Sequence, residues 1–436
     1  MNADVSTRAG SRWPPVLALV LAMLALSACA PARHWEAALV LADVAAGEAP
    51  SRLKAETETP RRTPVRFAVG GREHSGDLYL PGGAAPLAGI VLVPGAVPQG
   101  KDESRIVAFA QTLARARFAV LVPEIPGFRQ LRIHPADADV VADAFVWLAG
   151  RPDLAPAGRA GMMAFSYGVG PALLAALEEG VRPRFIAGVG GYYDLRRAVR
   201  YFATGYFRAE GEWRHLRPDD YGKLVLASSA LAYLGPGDAA LLSAMAERRI
   251  ADRAADLADL AARLAPPGRA VYDLIEHSTP ENFAQRYAAL PAPMRADLAA
   301  LSLHDKELGG LDARLILVHG RNDTLIPWPE SLALAAAFPP TQARVFLLDA
   351  VLGHVDGQSV TRSRVADAVA DRRRIILPAG QGALSVLRDW QRSVGSDPGT
   401  RVCLHAHPVV AGCRVEEHVL TRPSGLRRDL LSARLG

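Results

Sequence analysis

The stretch 159–180 reads RAGMMAFSYGVGPALLAALEEG. An apolar run ends at Phe165, a lone serine follows, and after two glycines an alanine- and leucine-rich segment closes on Gly180. The run predicts a strand over 159–165, and the segment behind it predicts a helix over 167–180. Pro171 falls near the first helical turn, where backbone amides lack intrahelical partners, so it is tolerated there. Ser166 therefore stands on a sharp strand-to-helix turn. Such a turn lifts a side chain clear of the sheet, and the helix start beside it supplies backbone N–H groups and the positive end of a dipole. The flanking residues must be small, because strand and helix come close together; here they are Ala164 and Gly168, with Gly170 just beyond. The plainer role for a serine in this place is a helix N-cap.

Outward from this stretch, strand and helix patterns alternate. PVRFAV (64–69) and EHSGDLYL (73–80) flank Gly70–Gly71 and predict a hairpin. LAGIVLVPGA (87–96) is a continuous apolar run of the kind buried on both faces of a sheet. Helical spacing follows over 104–118, a strand over 118–125, a helix over 136–150 ended by Gly150, and a strand over 184–191. The rhythm breaks near Tyr192. To about residue 310 the pattern is helical, interrupted by Pro and Gly, and rich in aromatics. Strands return at 313–323 and 343–349 with a helix between them. These patterns predict an α/β protein with a doubly wound, mostly parallel sheet and a helical insertion between two of its strands. The expected division is a leader (1–28), a tether with a short helix (29–62), core (63–193), helical cap (194–310), core (311–395) and a tail (396–436). A closing helix is expected over 382–394, and from Gly395 onward no periodicity is evident.

Ser166 flanked by small residues at a strand–helix turn is the arrangement of a nucleophile elbow. Downstream, Asp323 follows the strand LILVHG in GRNDTLIP, and His354 follows VFLLD in AVLGHVDG. Both are expected in loops at the carboxyl ends of strands, on the rim that carries Ser166, which is where open parallel sheets bind ligands. With these segments the chain resembles the α/β-hydrolases over about residues 64–193 and 311–394. It departs from the strict Gly-x-Ser-x-Gly pattern at the first position, where AFSYG has alanine. The resemblance implies the order nucleophile, acid, base, hence Ser166, Asp323 and His354. Asp194, after GVGGYYD, is a competing acid that some members of the family would place there; Asp356 lies too close to His354 in sequence to orient it easily, and Asp349 is expected to cap a strand end.

The chemistry of such a triad assigns each role. A serine hydroxyl is a poor nucleophile at neutral pH, so a histidine must accept its proton during attack and return it to the leaving group. The aspartate fixes the imidazole tautomer and stabilises its cation. The developing oxyanion needs donors. One expected donor is the backbone N–H of Tyr167. By resemblance the other is that of Ala96 in PGAVP, where Pro94 stands in the place of a histidine; Val97 is the fallback. The insertion would act as a cap that excludes water and shapes the pocket, although most of its aromatics are expected to form its own core.

The totals limit what else the chain does. Its 436 residues, 50% of them hydrophobic, suffice for one large domain or two smaller ones. Charged residues make up 22% and the formal net charge is +5, without a basic stripe interleaved with aromatics, so no nucleic-acid partner is expected. Arg8 and Arg12 precede the apolar run VLALVLAMLALSA (16–28), which is short for a membrane span and reads as a secretory leader. LSAC (26–29) then resembles the bacterial lipoprotein box, which implies cleavage before Cys29 and its lipidation, hence anchoring at the cell envelope; Ala30 behind it favours the periplasm-facing outer membrane. Cys403 and Cys413 would remain as a pair able to form a disulfide in an oxidising compartment. A metal site using CLHAH (403–407), with His405 and His407, and Cys413 is the rival, but its spacing fits no established zinc pattern.

The sequence thus supports a membrane-tethered serine hydrolase that cleaves an ester, thioester or small amide with an apolar part, in the manner of a carboxylesterase. No metal or organic cofactor is implied. An acyltransferase would use the same triad, and a lipoprotein that uses the fold only for binding or envelope assembly is the second class.

Overall fold

The computed structural model describes residues 35–348 and 415–418. Cys29, His354, Asp349, Asp356, Cys403, His405, His407, Cys413 and the helix expected over 382–394 lie outside the described residues.

The chain is first described as a helix, α1 (35–46), followed by α2 (Arg52–Glu56). Both fall inside the stretch read as a tether. Their Leu39, Val40 and Leu53 are buried in a small cluster with Trp35 and Ala116, and the buried Asp43 accepts hydrogen bonds from Thr112 Oγ1 and Lys54 Nζ, each at 2.6 Å. Strands β1 (Arg61–Val69) and β2 (Arg72–Leu80) pair as an antiparallel hairpin. Its two turn residues, Gly70 and Gly71, have φ of 57° and 82°, the left-handed pair that a two-residue hairpin of matching twist requires. Pro64, which has no N–H to donate, sits on β1 at the sheet edge, where no ladder bond is lost on the outer side.

Next come β3 (Ala88–Val93), α3 (Ser104–Arg115), β4 (Phe118–Pro123), the short α4 (Pro126–Arg129), α5 (Asp137–Ala149), β5 (Ala160–Phe165), α6 (Val169–Leu177) and β6 (Phe185–Val189). After the insertion the core resumes with β9 (Arg314–Gly320), α14 (Pro329–Ala336) and β10 (Ala343–Leu348). With β11 (Val415–His418) from the tail, the nine-stranded sheet has the order β1-β2-β4-β3-β5-β6-β9-β10-β11. Strands β4, β3, β5, β6, β9 and β10 run parallel; the hairpin joins β4 antiparallel. This is the doubly wound, mostly parallel sheet expected from the alternation of patterns.

Both faces of the sheet are covered, and the alternation of side chains along each strand decides which core each residue joins. Ile90 and Leu92 of β3 pack with Ile106, Ala110 and Leu113 of α3. Val91 and Val93 point to the other face and pack with Val141, Phe145 and Leu148 of α5 and with α6. Every residue of β3 and β4 is buried, which is why these strands read as continuous apolar runs. Each fully buried Leu or Ile here contributes about 1.5–3 kcal/mol.

The insertion between β6 and β9 comprises α7 (Leu195–Thr204), α8 (Asp220–Ala230), α9 (Pro236–Ala251), α10 (Ala258–Ala261), α11 (Pro266–His277), α12 (Phe283–Ala289) and α13 (Ala292–Ala300). It also contains a hairpin, β7 (Tyr206–Ala209) and β8 (Glu212–His215), where only helix was expected. Leu226, Leu242, Met245, Val271 and Leu298 join the same apolar cluster as α5 and α6, so the cap packs on one face of the sheet as a continuation of the core. The tail contributes β11 (Val415–His418), antiparallel to β10 at the far edge.

Candidate active site

Strand β3 has β4 on one side and β5 on the other, so the chain reverses its direction of winding there. A crevice is expected outside the carboxyl ends of β3 and β5. Ser166 stands in that place, immediately after β5 and at the start of a single turn of 3₁₀ helix that leads into α6. Its φ is 51°, in the left-handed region, which a residue with a Cβ enters at a cost. The sharp turn that the sequence predicts is thus present, with the strain that belongs to it.

The glycines around the serine are sterically required. A Cβ on Gly168 would lie 2.4 Å from the carbonyl oxygen of Pro94, and one on Gly170 would lie 1.9 Å from the hydroxyl of Tyr192. Tyr192 cannot easily yield, because it is fully buried and its Oη donates to the carbonyl of Leu301 at 3.0 Å. Gly95 lies across the turn, where a Cβ would be 3.4 Å from Ser166 Cβ. The β3 loop and the elbow therefore pack directly on each other.

A mainly apolar cleft opens beside Ser166. Its floor includes Ala96, Tyr167 and Tyr192; Leu195, Ala198 and Phe202 of α7 and Tyr221 and Val225 of α8 cover it. The cap thus lies over the serine. Leu325 and Ile326 close the cleft on the β9 side. Those two residues also donate their backbone N–H groups to Asp323 Oδ1, each at 2.8 Å. The Asp323 loop and Ser166 consequently border one cavity.

Asp323 is buried, and its other oxygen, Oδ2, is 3.2 Å from His319 Nε2. His319 Nε2 is also 2.8 Å from the carbonyl of Ile326, and Nδ1 is 2.7 Å from Ser331 Oγ. A carbonyl can only accept, so the hydrogen-bond network assigns the proton to Nε2. The imidazole then donates toward both Ile326 and Asp323 and ties the acid's loop to α14. His319 was not singled out in the sequence, where it reads as part of an apolar strand.

The competing acid has a different occupation. Asp194 is the N-cap of α7, accepting from the N–H of Arg196 at 2.9 Å and of Arg197 at 3.3 Å. Its own N–H, with that of Tyr193, donates to the buried carboxylate of Glu330. Arg197 Nε completes this junction at 2.9 Å from Glu330 Oε1. Burial pushes the Glu330 carboxyl upward, opposed by Arg197 and by the two backbone N–H groups. The junction fastens the entry of the cap to α14.

Two oxyanion candidates flank the serine. The side chain of Tyr167 is buried beneath it, stacked on Tyr192 with ring centroids 6.2 Å apart, and its Oη donates to Asp137 Oδ2 at 2.9 Å. Asp137, in the first turn of α5, also accepts from His134 N–H at 2.9 Å. Burial raises the Asp137 carboxyl to about 6 in spite of these donors. Ala96 lines the cleft, and its carbonyl accepts a hydrogen bond of 2.7 Å from Tyr221 Oη of the cap. In a trans peptide C=O and N–H point in opposite directions, so the N–H of Val97, which belongs to the same peptide, faces away from Tyr221. Asp137 was not singled out in the sequence; Tyr221 was read there only as one of the aromatics of the cap, without its bond to Ala96.

No family model and no curated protein matches the chain. Solved structures do. A candidate hydrolase of Legionella pneumophila is 13% identical with a TM-score of 0.49, the match covering 78% of this chain and 92% of that one. An esterase of Pyrobaculum calidifontis is 13% identical with a TM-score of 0.41, over 81% of this chain and 95% of that one. The esterase domain of a Rhodothermus marinus protein is 13% identical with a TM-score of 0.40, over 77% of this chain and all (100%) of that domain.

Proposed function

We propose that the chain is a serine hydrolase that cleaves an ester, thioester or small amide through an acyl-enzyme intermediate. The observation that carries this reading is Ser166, held at positive φ on a strand–helix turn and bordering the same apolar cleft as the Asp323 loop. Ser166 Oγ attacks the carbonyl carbon; His354 takes the hydroxyl proton and delivers it to the leaving group; Asp323 orients and stabilises the imidazole. The path of the chain supports His354 in this role. Leu348, the last residue of β10 and six positions before His354, pairs with Gly320 of β9, and its carbonyl accepts from Arg321 N–H at 2.9 Å, so it lies at the rim that carries Asp323. The N–H groups of Tyr167 and Ala96 receive the oxyanion, each worth on the order of 3 kcal/mol in the transition state.

Among the described residues the cleft holds about 60 Å³ and is lined mainly by apolar groups, which supports a short acyl chain, in the manner of a carboxylesterase. In a series of esters of increasing acyl length, kcat/KM should peak at the shortest members, and Ser166→Ala and His354→Ala should each abolish turnover. Equal turnover by wild type and Ser166→Ala would refute the mechanism.

We further propose that the protein is lipid-anchored through Cys29 and faces the periplasm. Among the described residues no helix is long and apolar enough to cross a membrane; the anchor proposed here is carried by the leader and its cysteine. Cys29→Ser should release the protein from the membrane fraction; full retention would refute the anchor.

A further inference from the structure

Helix α7 is two-sided. Leu195, Ala198 and Phe202 face the serine cleft. On its other side Arg196, Arg197 and Arg200 line a second pocket of about 240 Å³, with Pro280, Phe283 and Ala284 opposite. This is smaller than the ~300–1,000 Å³ typical of drug-sized ligands.

The three cations of the pocket are not equally neutralised. Arg197 is committed to Glu330 at 2.9 Å and lies 3.6 Å from Asp194 Oδ2. Among the described residues neither Arg196 nor Arg200 has a carboxylate partner in an ion pair. Instead their guanidinium groups lie against rings: Arg196 is 5.1 Å from the centroid of Tyr287, and Arg200 is 4.2 Å from that of Trp213 and 5.9 Å from that of Phe283. Arg200 donates one bond, from Nη2 to the carbonyl of Pro280 at 3.2 Å, while its Nε is buried without a hydrogen-bond partner among the described residues. Burial and the like charges of Arg196 and Arg208 push the Arg200 guanidinium below its ordinary value, with Glu281 acting in the opposite sense. Arg200 is partly withdrawn from water without a carboxylate in ion-pair contact, a state that an anion on its exposed nitrogens relieves, and the exposed Arg196 lines the same pocket.

We propose that this pocket binds a small organic phosphate, its anionic end on Arg196 and Arg200 and its carbon chain on Phe283 and Ala284. Planar guanidinium forks match phosphate oxygens, and the aromatic faces behind them keep the forks oriented. Asp194 also lines the pocket; its Oδ1 caps α7 and its Oδ2 lies 3.6 Å from Arg197 Nε, so its charge is balanced chiefly by Arg197 and the helix start rather than by Arg196 or Arg200. The site stands apart from the hydrolase reading, because it lies on the opposite side of α7 from Ser166 and needs none of the proposed catalytic groups.

The test is calorimetric titration of the purified full chain with inorganic phosphate, butyl phosphate and monomeric dihexanoyl phosphatidylglycerol. Saturable binding of butyl phosphate at one site is expected. Arg196→Gln with Arg200→Gln should weaken it roughly tenfold or more, whereas Arg151→Gln, at a distant exposed ion pair, should not. Ala284→Leu, which fills the apolar side and leaves the cations in place, should weaken butyl phosphate more than inorganic phosphate. It also keeps the test valid if the arginine variants fail to fold. Stronger binding of dihexanoyl phosphatidylglycerol than of butyl phosphate would identify a lipid headgroup as the source of the anion, and the reverse order a soluble metabolite; both support the site. Non-saturable heats with all three probes, or equal affinity in wild type and the pocket variants, would overturn it.

Discussion

Tyr221 Oη, on a helix of the cap, donates a 2.7 Å hydrogen bond to the carbonyl of Ala96, in the loop after the third strand. The bond ties the cover of the cleft to the loop expected to supply an oxyanion donor. It also fixes the plane of the peptide that follows Ala96, turning the Val97 N–H away from the phenol. Tyr221→Phe keeps the ring and loses the hydroxyl. We expect about 1 kcal/mol of lost stability and a several-fold fall in kcat/KM, read from denaturant melts and steady-state ester hydrolysis. Unchanged values in both would show that the bond does not position the loop.

The elbow depends on Gly170 for space. Gly170→Ala places a methyl group against the buried Tyr192 hydroxyl, and overpacking of this kind costs about 1–3 kcal/mol. Combining it with Tyr192→Phe removes the nearest clashing atom, although the ring carbon at 2.5 Å remains. The double variant should therefore recover part of the stability lost in Gly170→Ala, beyond what additivity of the single changes gives. Chemical denaturation of the four proteins of this cycle measures the coupling.

The two candidate acids respond differently to amidation. Asp323→Asn keeps an oxygen for the Leu325 and Ile326 N–H groups but loses the negative charge that would stabilise an imidazolium. We expect kcat to fall on the order of 10³–10⁴-fold with the fold retained. Asp194→Asn should change it little, because Asn caps a helix about as well as Asp. Comparable losses in the two variants would remove the preference for Asp323.

Asp137 makes stability depend on pH. Its carboxyl is raised from 3.8 to about 6, chiefly by burial. A raised acid holds its proton better in the folded than in the unfolded chain, so its contribution is complete below the unfolded pKa and is lost as pH rises through the folded one. Wild type should therefore lose on the order of 2–3 kcal/mol of this contribution between about pH 4 and pH 6. Asp137→Asn, which still accepts from Tyr167 or His134, should flatten that segment of the profile. Urea melts across the range, compared between the two proteins, give the difference directly.

The core of the fold was legible because its signals are local. The third and fourth strands are buried on both faces and so read as unbroken apolar runs; the turn at Ser166 is bracketed by small residues that strand–helix contact demands. The cap hairpin escaped because its strands are four residues each and largely exposed. Its turn, Glu210–Gly211, adopts the left-handed pair without the usual Asn-Gly or Asp-Gly signature. The strand at 415–418 owes its existence to the edge it pairs with, and nothing within the tail announces that edge. At the site, Ser166 and Asp323 stand out by their place after strands. The partners of their neighbours do not: Asp137 meets Tyr167 across 30 positions of chain and Tyr221 meets Ala96 across 125. Such pairs are set by how the helices dock, which residue spacing does not encode.

The central claim is that Ser166 is a nucleophile, and covalent capture tests it most directly. The full chain should react with a fluorophosphonate, and mass spectrometry of the digested adduct should place the phosphonyl group on Ser166, with no labelling of Ser166→Ala. A folded wild-type protein that stays unlabelled, or an adduct mapped to another residue and undiminished in Ser166→Ala, would contradict the account.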